Sequence, residues 1–207
     1  MSDGDIVYVV DDDEALRRAI GLLIRSVGLE SQMFPSAQAF LDHQLPDRPA
    51  CLVLDVRMPG PSGLDLQTAL VQADRGIPII FITGHGDVPM TVRAMRFGAV
   101  DFLQKPFNDQ DLLDAIQRAL ALSREERGQR AERVLIQRHL DTLTPREREV
   151  LALVITGMLN KQIAVDLGAA EKTIKIHRAR VMEKMRAGSV AELVRMTEKV
   201  GFKASRA

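Results

Sequence analysis

The chain has 207 residues, with 28 Lys and Arg against 28 Asp and Glu, so its formal net charge is zero. That zero averages two unlike halves: residues 1–122 hold 17 acids and 10 bases, a net of −7, and residues 123–207 hold 11 acids and 18 bases, a net of +7. The split points to two domains with different partners, and the single cysteine, Cys51, excludes a disulfide framework or a cysteine-rich zinc site.

Met1 to Asp5 is acidic and has no apolar h-region. No later run approaches the roughly 18 apolar residues that span a bilayer. A soluble, cytoplasmic protein with no membrane segment is expected. Ile6 to Val10 reads as a buried strand, closed by Asp11-Asp12-Asp13, and residues 14–27 carry apolar side chains at helical spacing. A weaker strand follows at 30–34, then a helix with Phe40 and Leu41. Cys51 to Leu54 is a second buried strand. The turn Met58-Pro59-Gly60-Pro61-Ser62-Gly63 leads to a helix at 64–73. Ile77 to Ile82 is a strand, 88–97 a helix, Val100 to Leu103 a short strand and 109–122 a helix. Apolar strands alternating with helices imply a parallel sheet covered on both faces. Five such units in about 120 residues predict a flavodoxin-like, doubly wound (βα)5 domain over 1–122.

Residues 123–140 are dense in charge and read as an exposed helical linker. Residues 141–207 form the next domain, helical only over 141–200, with four helices. Thr144-Pro145-Arg146-Glu147 predicts a capping-box start, Asn160 is taken as the cap of a short helix, and a longer helix spans 171–186. Ser189 caps the last one. Short helix, turn, longer helix is the helix-turn-helix pattern.

Ligands of open parallel sheets bind beyond the carboxyl ends of the strands. There the first strand ends in Asp11 and Asp12, the third in Asp55 and the fourth in Thr83, and the fifth is followed by Lys105-Pro106. Carboxylates gathered at one edge repel each other and need a cation. An oxygen-only ligand set suits Mg²⁺ or another hard divalent ion. An Asp in that place can be a nucleophile that forms an aspartyl-phosphate. Asp55 is therefore read as phosphoacceptor and Asp11 and Asp12 as metal acids. Lys105 would give a second positive contact to the phosphoryl group and Thr83 a hydroxyl. A lone acid at a strand end is more often a turn or cap residue. That reading is taken for Asp13, expected to cap the first helix. The ordered set reverses it for the others.

Projected at 100° per residue, the helix over 171–186 puts Ile174, Val181 and Met185 on one line. Lys172, Lys175, Ile176, Ala179 and Arg180 lie opposite. Charge alone fits a solvated face equally well. The capping box, the short-helix spacing and the inward apolar line together favour double-stranded DNA. Small Ala179 permits close approach, and Ile176 can meet a thymine methyl. Lys172, Lys175 and Arg180 reach bases or phosphates, and Thr173 and Lys161 bond phosphates. The basic half has one aromatic residue, Phe202, which disfavours RNA.

The segments Val10-Asp11-Asp12-Asp13, Leu54-Asp55-Val56-Arg57-Met58-Pro59, Ile82-Thr83-Gly84 and Gln104-Lys105-Pro106-Phe107 resemble those of bacterial two-component response regulators. The run Thr83 to Met90 and the fused basic half look most like the FixJ/NarL type. Leu143 to Glu147, Asn160 to Ala164 and Thr173 to Arg178 resemble the LuxR-type helix-turn-helix. The resemblance implies a metal contact from the Arg57 backbone carbonyl and a switch role for Thr83. It implies a second switch position at Phe102, where a tyrosine is frequent in the family and the hydroxyl is here absent. It also implies a sensor histidine kinase as phosphoryl donor, promoter DNA and RNA polymerase as partners, and a homodimer when phosphorylated.

His85, flanked by glycines, is taken as a loop residue rather than a base. A stand-alone aspartyl-phosphate hydrolase would want a carboxylate two residues past the nucleophile, where Arg57 stands. A flavin-binding module would want a Ser/Thr/Gly loop after the first strand, where three aspartates stand. The chain is therefore expected to be a regulator and not an enzyme.

Overall fold

The computed structural model describes residues 4–73, 75–84 and 88–203, the side chains of 88–90 and 93 excepted. The chain divides into two compact units, Met1–Arg127 and Gly128–Ala207. The loop carrying His85 lies outside the described residues.

In the first unit, β1 (Ile6–Val10), β2 (Glu30–Phe34), β3 (Ala50–Asp55), β4 (Ile79–Thr83) and β5 (Asp101–Gln104) form one parallel sheet in the order β2-β1-β3-β4-β5. The helices are α1 (Glu14–Ser26), α2 (Ala37–Leu41), α3 (Gly63–Gln72), α4 (Val88–Arg96) and α5 (Asp109–Asp141). This is the flavodoxin-like arrangement expected, with its switch point between β1 and β3. Because side chains alternate along a strand, the sheet serves two cores. Tyr8, Val10, Leu52, Leu54 and Phe81 pack with Phe40, Leu66 and Leu70. Val7, Val9, Val53, Ile80 and Ile82 pack with Ile20, Ile24, Leu112 and Ile116, and Cys51 lies buried among them. The first helix starts as expected, since the Asp13 carboxylate accepts from the amides of Ala15 and Leu16.

Helix α5 is far longer than a span ending at 122. It runs through residues 123–141, supplying Leu112 and Ile116 to the sheet core and Ile136 and Leu140 to the core of the second unit. Gly128, the one breaker in that stretch, stays helical with no contact to oppose it. Within the first unit the Ser123 hydroxyl accepts from the Ala50 amide at 3.1 Å, and Arg127 pairs with Asp47 at 2.7 Å.

The second unit adds α6 (Pro145–Val154), α7 (Asn160–Asp166), α8 (Glu171–Met185) and α9 (Val190–Lys199). Thr144 and Glu147 form the expected capping box, with Pro145 opening the helix. The Glu147 carboxylate also takes the Lys184 ammonium at 2.7 Å, so one buried acid closes α6 and ties it to α8. Ile174, Val181 and Met185 are buried, as their common line requires. Asn160 is not the cap of α7. That place is Leu159, whose amide is closed by the Gln162 side chain at 2.7 Å, and the Asn160 oxygen accepts from Arg178 on α8 at 3.0 Å. A glutamine at the third helical position did the capping from inside the helix, which released the asparagine for an inter-helix bond. Helix α6 stops at Val154, and Gly157, with a positive φ of 86°, belongs to the turn that follows.

Candidate functional site

Parallel register brings four strand ends to one edge. Val10 lies beside Leu54 and Asp55 beside Ile82, and the Lys105 amide donates to the Thr83 carbonyl at 2.7 Å. Residues far apart in sequence therefore meet. The Lys105 ammonium donates to Asp11 at 2.7 Å and to Asp55 at 3.0 Å. Asp11 is fully buried and Asp55 is 6% exposed, while Asp12 faces solvent. Carboxylate oxygens of Asp11, Asp12 and Asp55 lie within 4.8 Å of one another. The Asp13 amide donates to Asp11 at 2.8 Å and the Arg57 amide to Asp55 at 3.3 Å. The Arg17 guanidinium bonds the Asp11 carbonyl.

Two buried carboxylates share one ammonium, and a third stands alongside. Burial pushes the Asp55 carboxyl above its ordinary range against the pull of Lys105, and the Asp11 charge adds to the rise. Burial also works to lower the Lys105 ammonium, but its bonds to Asp11 and Asp55 outweigh that and hold it above its usual value. Negative charge exceeds positive at this edge. A cation reaching it past exposed Asp12 would relieve both the repulsion and the cost of burial. The all-oxygen donor set fits a hard divalent ion.

The remaining predicted positions are placed as follows. Thr83 is buried at the end of β4. Phe102 sits opposite Phe81 in the β4–β5 register, with ring centroids 6.3 Å apart and its ring half-buried. Gly63, expected only as the end of the turn before the third helix, has a further role. A Cβ there would stand 2.3 Å from the Asp55 carbonyl oxygen, so only glycine lets α3 start against the phosphoacceptor candidate. Its signal was available as a glycine directly after Ser62, whose hydroxyl caps α3 by accepting from the Asp65 amide. Arg17 was passed over, because a lone basic residue on a helix carries no such signal.

On the second unit, Lys172, Thr173, Lys175, Ile176, Ala179 and Arg180 are exposed on α8, and Lys161 is exposed on α7. Among the described residues, Lys161, Lys172, Lys175 and Arg180 form no ion pair, whereas Lys184 and Arg148 are held by Glu147 and Asp141. His177 is half-buried and belongs to neither set.

A βα sheet with this acid edge, followed along the chain by a unit of short helices, is the arrangement of a receiver-like module and a helix-turn-helix. Comparison with known proteins agrees. Residues 7–117 match the response regulator receiver domain, and residues 141–197 match the bacterial regulatory proteins of the luxR family. Nodulation protein W of Bradyrhizobium diazoefficiens is 54% identical over 202 residues, covering 97% of this chain and 88% of that protein. The transcriptional regulatory protein FixJ of Rhizobium meliloti is 43% identical, covering 95% of this chain and 96% of that one. The solved structure of the response regulator StyR matches with a TM-score of 0.85 at 49% identity, over 95% of this chain and all of that chain. The chain belongs to the two-component response regulators with a LuxR-type DNA-binding domain. Among the described residues no helix is long and apolar enough to cross a membrane.

Proposed function

We propose that this chain is a transcriptional switch in which Asp55 accepts a phosphoryl group from a sensor histidine kinase and α8 reads promoter DNA. The convergence of Asp11, Asp12, Asp55 and Lys105 carries that reading. A carboxylate oxygen of Asp55 attacks phosphorus in line, a P–O bond forms, and the P–N bond to the kinase histidine breaks with the imidazole leaving. Mg²⁺ held by Asp11, Asp12, Asp55 and the Arg57 carbonyl would supply charge neutralisation for the phosphoryl oxygens. Lys105 gives up part of its hold on Asp55 and takes a phosphoryl oxygen. The Thr83 hydroxyl takes another, and the surface around Phe102 repacks.

The receiver comprises 1–122, the linker 123–140 and the DNA-binding domain 141–207. Lys172, Lys175 and Arg180 address bases or phosphates. Thr173 and Lys161 address phosphates, Ile176 a thymine methyl, and Ala179 leaves room for the approach. The phosphorylated protein acts as a homodimer on two half-sites and engages RNA polymerase in the cytoplasm. It turns over no substrate of its own: Arg57 occupies the place where an aspartyl-phosphate hydrolase needs a second acid. Incubation with acetyl phosphate and Mg²⁺ followed by intact-mass measurement tests the assignment. The wild type gains one phosphoryl group and Asp55→Asn gains none. A gain on Asp55→Asn equal to wild type would show that the acceptor is elsewhere.

A further inference from the structure

The described part of helix α4 buries little. Of its described side chains Ala94 alone is buried, while Val92, Met95 and Arg96 face solvent, as does Phe97 just beyond its end. A groove of about 250 Å³ lined by Leu70, Ile77 and Phe97 lies beside its last turn, so apolar packing is incomplete there too. The last carbonyls of a helix have no partner within it. Here the Ala94 carbonyl accepts from the amides of Phe97 and Ala99, each at 3.2 Å, and it and the Phe97 carbonyl share one further donor from outside the helix. Gln67 on α3 is 2% exposed, and its Nε2 donates to the carbonyls of Ala94 and Phe97, each at 3.2 Å. Two acceptors fix the orientation of the amide, since its oxygen could not face two carbonyls.

Gln67 stands one helical turn after Gly63, on the same face of α3. Gly63 donates to the Val56 carbonyl at 3.0 Å, and its Cα position lies against the Asp55 carbonyl. One helix therefore touches the Asp55 backbone with its first turn and holds the end of α4 with its second. We infer that Gln67 is a positioning residue through which α3 sets the place of α4 and links it to the state of Asp55. This rests on Asp55 being the phosphoacceptor. A shift of the β3–α3 turn on phosphorylation moves the Gln67 amide, and the end of α4 follows it or loses its two bonds. The Gln67 side chain touches no reacting atom.

Amide hydrogen exchange on the full chain, with and without acetyl phosphate and Mg²⁺, is the test. Gln67→Met keeps the side-chain length and removes both donors. In the wild type the donor is expected to change exchange in α4. In Gln67→Met without donor, the amides of Phe97, Gly98 and Ala99 should exchange on the order of tenfold faster, with β1 and β3 unchanged. The donor response of α4 should vanish while Asp55 still labels. Three results would overturn the inference: no α4 response in the wild type, an undiminished response in Gln67→Met, or equal acceleration of α4 and the strands. Asp55→Asn separates the two assignments. If it still labels, the acceptor is wrong, and if it does not while Gln67→Met responds like wild type, only the Gln67 role is wrong. Should Gln67→Met fail to fold, the wild-type side chain decides. Its two Nε2 protons are expected to be distinct and protected from exchange, and freely exchanging protons would refute the link.

Discussion

The acid edge of the receiver and the basic face of α8 use charge in opposite ways. At the acid edge, charges distant in sequence are driven together and partly buried, with Lys105 shared between Asp11 and Asp55. On α8, Lys172, Lys175 and Arg180 lie away from the Ile174 line, exposed, and free of ion pairs among the described residues. A buried cluster with excess negative charge is a local, high-field site, which a small divalent cation can neutralise and where one added phosphoryl group brings further negative charge. An exposed row of cations acts at the range of the salt-screened field, on a polyanion. The equal and opposite charges of the two halves would therefore suit different ligands, and they differ in burial rather than in magnitude.

That contrast depends on α8 being a rigid presenter, and its core side is where the largest stability effect is expected. Ile174→Ala should destabilise the helical unit by about 2–5 kcal/mol, since Ile174 is fully buried against the packed core. Denaturant unfolding followed by probes in α6 and α8 reads it. A loss confined to DNA binding, with no loss of stability, would break the division of α8 into a core line and a ligand face. Lys175→Ala should leave stability nearly unchanged and weaken DNA binding by about 1–3 kcal/mol, with a shallower salt dependence. Titration at two fixed salt concentrations measures both, and equal affinity at each would remove Lys175 from the interface.

A smaller effect sharpens the comparison from the side of a structural ion pair. The hydrogen bond and charge of Lys184, with the amide of Thr144, hold the Glu147 carboxyl below its ordinary range although the side chain is buried. A lowered carboxyl pKa contributes stability that is present above the unfolded value and lost as pH falls through the folded one. Protection of the α6 amides should therefore decline on acidification past the ordinary glutamate range. Glu147→Gln should flatten that decline, and an unchanged pH profile in the variant would reassign the acid sensitivity to other carboxylates.

Much of this was legible in the sequence, for identifiable reasons. Apolar strands interleaved with helical periods led to the doubly wound sheet, and the strand-end rule led to Asp11, Asp12, Asp55 and Lys105 converging across a sequence separation of up to 94. The line of Ile174, Val181 and Met185 was a matter of angle alone. What stayed hidden depended on which of several adequate partners tertiary packing selected. Asn160 is a good cap by type, yet Gln162 closed the helix and left Asn160 to Arg178. Gln67, in the run Leu66-Gln67-Thr68, looks like any polar residue on a helix until α4 is laid across it. The run of α5 through 123–141 has no apolar stripe of its own in its charged stretch. It is fixed at its ends, by Ser123 on Ala50 and by Ile136 and Leu140 in the second core.

The central claim is that phosphorylation of Asp55 governs what α8 does. The most direct measurement is the affinity for a duplex selected by the protein from a random pool, at fixed salt and Mg²⁺, with and without acetyl phosphate, for wild type and Asp55→Asn. Acetyl phosphate should raise the affinity of the wild type and leave Asp55→Asn where it was. Equal gains in both proteins, or none in a wild type shown by mass to be phosphorylated, would contradict it.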